Sequence, residues 1–309
     1  MEVRYMNTSD GFRLACRIWE PRSRRNPVGL LHILHGMAEH SARYEDFASF
    51  MTSQGFIVCA HDHRGHGLSV DRPENRGWFS DNDGWFRVAE DAWEISYAVS
   101  SDYPDVPVFL FGHSMGSFLA RTAMVKHPSF YSGIIICGTA PGQGIAGRLG
   151  LALARGEVRR YGSHHVSKRL DKLSFGGYNR RFAPARTAFD WLSRDIHAVD
   201  EYVADDNCGF VCTSGFFADL LTGIAYVNDR HVTAQVPRDL PLLIISGDKD
   251  PVGKFGRGVR AVYGMYHDAN VSDVTLKLFP GGRHEILNEI DKEDVYAYVL
   301  DWLRRRVEV

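Results

Sequence analysis

The sequence predicts an α/β fold: a mostly parallel sheet covered by helices on both faces and interrupted once by a helical insertion. Three observations carry this expectation. Apolar runs of strand length, such as Gly29 to Leu34, alternate along the chain with segments whose apolar residues recur at helical spacing. Several of those runs are continuously apolar, as strands buried on both faces require. The alternation fails between about residues 141 and 237, where helical periodicity continues without a comparable strand. A chain of 309 residues, 44% hydrophobic and 24% charged, is long enough for one such domain with an insertion.

In order, Glu2 to Met6 alternates polar and apolar residues as a half-buried strand does. Asp10-Gly11 marks a hairpin turn, and Leu14 to Trp19 is its second strand. Arg22, Arg24 and Arg25 follow in a Pro-bounded loop, read as a solvated linker. Gly29 to Leu34 is a buried strand ending at His35-Gly36. Tyr44 to Gln54 carries Phe47, Phe50 and Met51 at helical spacing, with Gly55 placed as a C-terminal cap. Phe56 to Ala60 is the next strand. Helices over Trp85 to Ser100 and Ser114 to His127 flank a strand at Val108 to Phe111, and Gly133 to Cys137 is another strand. After the break come a strand at Pro241 to Ile245, a helix around Val259 to Tyr266, a strand at Val274 to Phe279 and a last helix from about Glu285 to Arg306. The expected division is a core of residues 1–140 and 238–309 with a helical lid of residues 141–237.

Within the lid, Ile145, Leu149, Ala152 and Leu153 share one helical face and Arg148, Arg155 and Arg159 another. Phe217, Leu220, Leu221 and Ile224 form a second apolar stripe. The charge is lopsided: ten Lys/Arg against two Asp/Glu over residues 141–189, then two against eight over 190–237. Two expectations follow. The halves pair with each other or face solvent; or the first lid helix makes a transient membrane-surface contact, its arginines toward anionic headgroups.

The net charge of −2 argues against a nucleic-acid binder. The first residues show no apolar signal-peptide core, and no apolar run approaches bilayer-spanning length. Cys59 and Cys137 sit in apolar runs, Cys16 is isolated, and Cys208-x3-Cys212 lacks a second ligand pair, which disfavours zinc. The segment His61-Asp62-His63-Arg64-Gly65-His66-Gly67 reads as a structural loop. The expectation is a reduced, cytoplasmic protein, at most peripheral at a membrane, with no metal and no cofactor.

The chemistry centres on Gly112-His113-Ser114-Met115-Gly116, set between a buried strand and a helix. In that context G-x-S-x-G is a nucleophile elbow, a turn so sharp that only small residues fit two positions either side of the serine. A serine hydroxyl needs a histidine as general base and a carboxylate to orient it. In the α/β-hydrolase plan these follow the serine as acid, then histidine, each in a loop after a strand. Ile244 to Val252 supplies a strand and two acids, Asp248 and Asp250. Asp250 is preferred on the G-x-x-D spacing from Gly247, with Asp248 as a turn residue. Leu278 to His284 supplies a strand and a histidine, His284, in a Gly-rich loop. The oxyanion donors expected are the backbone N–H groups of Met115, after the nucleophile, and Met37, after the third strand.

Together, His35-Gly36-Met37-Ala38-Glu39-His40-Ser41-Ala42-Arg43-Tyr44, Asp62 to Ser69, GHSMG at 112–116, GDKDPV at 247–252 and GGRHE at 281–285 resemble motifs of the monoacylglycerol lipase and lysophospholipase-like α/β hydrolases. The resemblance runs from about residue 35 to 290. It implies an α/β-hydrolase fold, the same roles for Ser114, Asp250, His284, Met37 and Met115, and positions for Glu39 and Arg43 beside a polar head such as glycerol. The alternative for Glu39 and Arg43 is an ion pair that braces the loop. The implied activity is hydrolysis of a carboxylic ester, a monoacylglycerol or similar lipid-like small molecule, through an acyl-serine intermediate. An aminopeptidase on the same fold and a non-catalytic ligand receptor are the other readings open at this point.

Overall fold

A computed structural model describes residues 1–21 and 27–307; Arg22, Arg24 and Arg25 lie outside the described residues. Eight strands form one sheet: β1 Glu2–Asn7, β2 Arg13–Trp19, β3 Gly29–Leu34, β4 Phe56–His61, β5 Val108–His113, β6 Gly133–Cys137, β7 Leu242–Gly247 and β8 Val274–Phe279. Their order is β1-β2-β4-β3-β5-β6-β7-β8. The hairpin β1/β2 pairs antiparallel to itself and to β4, and every pairing from β4 to β8 is parallel. The α/β architecture is the expected one.

The parallel strands β3, β4, β5, β6 and β7 are buried throughout, which is why their sequences are continuously apolar. Helices cover both faces. On one, α2 (Gly84–Ser100), α3 (Met115–Lys126) and α9 (Arg257–Asp268) enclose a core including Trp85, Leu110 and Ile136. On the other, α1 (Glu45–Ser53) and α10 (Lys292–Val307) enclose Phe47, Phe111 and Trp302. The chain leaves the sheet after β6 and returns at β7. Between lie α4 (Gly144–Tyr161), α5 (Lys168–Phe175), α6 (Ile196–Ala204), α7 (Ser214–Val227) and the short α8 (Arg230–Thr233).

Two elements differ from expectation. The last helix begins at Lys292, not near Glu285. The backbone N–H of Glu285 bonds Leu192 O at 2.7 Å and its carboxylate is held by Arg43, so the segment is pulled into an irregular turn that presents His284. In α4 the covered face is Ala154 and Glu157, against α7, while Ile145 (77% exposed) and Leu149 (67%) face outward beside the exposed Arg148, Arg155 and Arg159. Helical spacing shows which residues share a face; the neighbouring element decides whether that face is covered.

Helix α7 anchors the insertion between β6 and β7. Phe217, Leu220 and Ile224 are buried against α2, α3 and α4, and a methyl on Gly223 would lie 2.0 Å from the Trp85 indole. Among the described residues, Arg186–Asp200 at 2.5 Å is the one ion pair joining the two oppositely charged halves. Most of the lid's basic side chains are therefore solvated.

Candidate active site

Ser114 stands between the end of β5 and the start of α3 with φ 54° and ψ −117°, a backbone region that L-residues occupy only under local constraint. Its N–H donates to Cys137 O at 2.9 Å, and its carbonyl accepts from Ser117 N–H and Oγ. The flanking glycines are required by close approach. A methyl on Gly112 would lie 2.2 Å from Gly116 O, and one on Gly116 would lie 2.1 Å from Leu34 O. Ser114 is half-buried between the buried His113 and Met115.

The β3–α1 loop passes directly over this serine. A methyl on Gly36 would lie 3.2 Å from Ser114 Cβ and 2.6 Å from Glu39 Oε1. Within the loop, the N–H groups of Met37 and Ala38 have no hydrogen-bond partner among the described residues, and neither has that of Met115 in the first turn of α3. The carbonyls are turned away and satisfied. Gly36 O pairs with His35 Nδ1 at 2.7 Å, His35 O with His63 Nε2 at 3.2 Å, and Ala38 O accepts from Gly209 N–H and the Tyr202 hydroxyl. The histidine-rich loop after β4 thus sits beneath this one. Its members bond each other and the backbone, and burial holds the pKa of His35 and His63 well below the usual imidazole value.

Asp250 and His284 come together from the loops after β7 and β8. Asp250 is fully buried. One of its oxygens accepts from Val252 N–H at 2.8 Å, the other from Ser246 Oγ at 3.0 Å. His284 Nδ1 lies 3.0 Å from that second oxygen, at contact distance but angled short of a hydrogen bond, as is common before substrate tightens a site. Burial raises the Asp250 carboxyl, but His284 and these donors outweigh it and hold the acid below its ordinary range. Asp248 accepts from Gly281 N–H at 2.8 Å, tying the two loops together instead of closing its own turn. Trp191 of the insertion leans on His284, with ring centroids 5.0 Å apart.

Glu39 and Arg43 belong to a buried ionic network. Glu39 Oε1 accepts from Gly36 N–H (2.5 Å) and the Tyr44 hydroxyl (3.1 Å) and faces His113 Nδ1 at 3.2 Å; Oε2 accepts from Arg43 at 2.8 Å. Arg43 also grips Glu285 through two bonds of 2.7 Å and stacks over the Tyr202 ring. Burial works against both carboxylates, but His113 and Arg43 keep Glu39, and Arg43 keeps Glu285, below the ordinary glutamate range. Burial lowers the His113 imidazole, yet Glu39 raises it on balance. His113 Nε2 also reaches His284 O at 3.3 Å, so one side chain spans the loop over Ser114 and the loop carrying His284. His113, Glu285, Trp191 and Tyr202 were not singled out from the sequence. The first two stand inside the motifs GHSMG and GGRHE; the lid residues carry no local signal.

One grouping among the described residues has metal-ligand chemistry: His40, Asp205 and Cys208 place their donor atoms within 4.8 Å of one another, where lid meets loop. His40 and Asp205 already satisfy each other at 2.7 Å. All five cysteines are buried free thiols.

Residues 25–291 match the family model for serine aminopeptidase, S33. The monoglyceride lipase of Mus musculus is 28% identical over 314 residues, covering 99% of this chain and 91% of its own. The monoacylglycerol lipase of Mycolicibacterium smegmatis is 28% identical, covering 95% and 93%. A carboxyl esterase from Bacillus coagulans, solved in complex with glycerol, superposes with a TM-score of 0.91 at 29% identity, covering 99% and 98%. With its strained serine elbow, mostly parallel sheet and a family match across most of its length, this chain has the α/β-hydrolase fold and belongs to the serine aminopeptidase S33 family.

Proposed function

We propose that the chain hydrolyses carboxylic esters through an acyl-serine intermediate, with monoacylglycerols or similar lipid-like esters as substrates. Ser114 Oγ attacks the ester carbonyl while His284 takes its proton. Asp250 orients the imidazole and stabilises the imidazolium. The N–H groups of Met37 and Met115 receive the developing oxyanion. Collapse breaks the bond to the alcohol, which leaves with the proton from His284; a water activated by the same histidine then releases the acid.

The observation that carries this reading is the pairing of a strained Ser114 with a glycine loop so close that a methyl on Gly36 would lie 3.2 Å from Ser114 Cβ, and whose Met37 N–H is unsatisfied. The curated relatives named as monoglyceride lipases and the glycerol-bound esterase support the substrate class. The acids at the site also favour an ester over an aminopeptidase substrate. Glu39, Glu285 and Asp250 each already face a cationic or imidazole partner, which leaves none of them to hold a substrate ammonium. By the same bonds, Glu39 and Arg43 brace the loop over Ser114 and reach a head group only through it. Ser114→Ala should lower the rate on a monoacylglycerol and on a p-nitrophenyl acyl ester on the order of 10⁶-fold. An unchanged rate, or turnover of a prolyl anilide in preference to esters, would refute the proposal.

Residues 141–237 act as the lid over this site, and its basic half touches the lipid surface from which such substrates come. Exposed Ile145, Leu149 and Leu173 lie among exposed arginines and lysines there. No helix among the described residues is long and apolar enough to cross a membrane. Flotation with anionic vesicles and none with neutral ones is the expected result; equal absence from both sinks the membrane contact.

A further inference from the structure

Beside the His284 loop, between it and the lid, lies a cavity of about 190 Å³ whose lining includes Phe182, Arg186, Asp190, Arg194, Ile196 and Arg283. Its two contributors Asp190 and Arg283 are the sequence neighbours of Trp191 and His284. Most of the charges here are already matched. Arg194 is taken by Glu289 and Asp291, and Arg186 by Asp200. The Asp190 carboxylate accepts from the N–H groups of Arg186 and Thr187 and from Thr187 Oγ1.

Arg283 is the exception. Its Nη1 donates to two lid carbonyls, Asp190 O and Ser193 O, and its guanidinium lies over the Phe182 ring at 4.3 Å. No carboxylate lies within ion-pair distance of it among the described residues. Its Nε and Nη2 have no protein partner there, yet neither is sealed from solvent. Burial, with Arg194 nearby, lowers its pKa on balance, although Asp190 and Glu289, whose Oε1 accepts from the Arg283 backbone N–H at 2.7 Å, pull it up. A part-buried guanidinium with no carboxylate paired directly to it is uncommon, and its free Nε–Nη2 edge is the fork that matches two oxygens of one anion.

We infer that this cavity binds a small oxyanion, a carboxylate or a phosphate, on the Nε–Nη2 edge of Arg283, with Arg186, already paired to Asp200 through Nη1, adding a weaker, partly compensated second cation. The volume is below the roughly 300–1,000 Å³ of drug-sized pockets, which fits a short ligand and not a long acyl tail. The site is separate from the serine centre. Arg283 clamps the lid through Asp190 and Ser193 and directly precedes His284, so an anion held there tightens the junction between lid and histidine loop.

The test is calorimetric titration of the full chain with inorganic phosphate and, separately, acetate, at constant ionic strength set by chloride. Wild type should bind at least one with a Kd of about 1 mM. Phosphate alone, acetate alone or both would identify the ligand as phosphate, carboxylate or either. Arg283→Met should weaken binding about tenfold or more, and Arg283→Lys, which keeps charge but loses the fork, nearly as much. Arg283→Met also abandons two carbonyl bonds, so the exposed Arg186→Gln, expected to weaken binding about threefold, keeps the test independent of folding. No heat from either anion, or wild-type affinity in all three variants, would overturn the inference. Binding is read without turnover, so a failed ester assay and a failed anion site are told apart.

Discussion

Replacing Arg43 by methionine should convert the most buried ionic network in the site into its largest liability. Arg43 is the shared cation of Glu39 and Glu285, through bonds of 2.8, 2.7 and 2.7 Å, and the two carboxylate side chains are only 4% and 5% exposed. Methionine fills much of the volume but leaves the His113 imidazole, hydrogen-bonded to Glu39 alone of the two, as the remaining basic partner of these buried carboxylates. Removing one partner of a buried pair costs about 3–5 kcal/mol, a large share of a total stability near 5–15 kcal/mol.

The pH dependence separates this from a simple packing defect. In the wild type both carboxyls lie below their ordinary value, so their stabilisation is present above that value and lost only as pH falls through the lower folded pKa. Between about pH 5 and pH 7.5 the wild type should therefore be nearly flat from this source. In Arg43→Met burial dominates and the folded pKa of at least one carboxyl rises above its unfolded value. The folded state then binds the extra proton, and stability should climb as pH falls across the same window. Urea denaturation of wild type, Arg43→Met and Arg43→Lys at both ends of the window measures this, with the lysine variant expected in between. A loss under about 1 kcal/mol, or pH slopes matching wild type, would refute the reasoning.

Gly36→Ala puts a methyl 3.2 Å from Ser114 Cβ and 2.6 Å from Glu39 Oε1, so the loop must lift and carry the Met37 N–H with it. The expected loss is about 10²–10³ in kcat with a smaller change in KM, read by steady-state kinetics; a kcat within about threefold of wild type would clear the loop of that role. Asp219 on α7 is pushed up to about 7 by burial, although the Trp85 N–H pulls it down. Because its folded pKa exceeds the unfolded one, its stabilisation is complete at low pH and is lost as pH rises through 7, with a slope of at most about 1.4 kcal/mol per pH unit. Asp219→Asn should abolish the fall in Tm between about pH 5 and pH 7, and an unchanged fall would assign it elsewhere.

The groups proposed to be catalytic are each marked in the sequence by local pattern: a buried strand, then a loop whose glycines are forced by close approach. Gly112 and Gly116 illustrate this, since the contacts that exclude a side chain lie within the elbow or at the end of β3. Of the brace around them, the Glu39–Arg43 ion pair was legible as one of two readings, but its extension to Glu285 and His113 was not. Arg43 and Glu285 are 242 residues apart, and no spacing rule links a helix-forming glutamate near the C-terminus to an arginine beside β3. The same bond displaced the start of the last helix, because one tertiary ion pair and one backbone bond to Leu192 outweigh local helix propensity. Asp248 failed differently. Its turn-forming chemistry was read correctly, but the N–H it accepts belongs to the neighbouring loop at Gly281.

The lid's charge asymmetry coincides with a mechanical one. Between residues 144 and 190 only Ala154, Glu157, Ser167 and Leu170 are buried. From 191 to 227 the buried residues include Trp191, Leu192, Tyr202, Phe216, Phe217 and Ile224, and the chain grips the candidate-site loops directly: Tyr202 on Ala38, Asp205 on His40, Leu192 on Glu285. Local opening free energy follows buried contact, so the acidic half moves with the core and the basic half opens first. Under the proposed membrane contact, the half that would lean on anionic headgroups is also the half with the fewest buried contacts to the loop over Ser114, while the half that sets Trp191 against His284 is the better anchored.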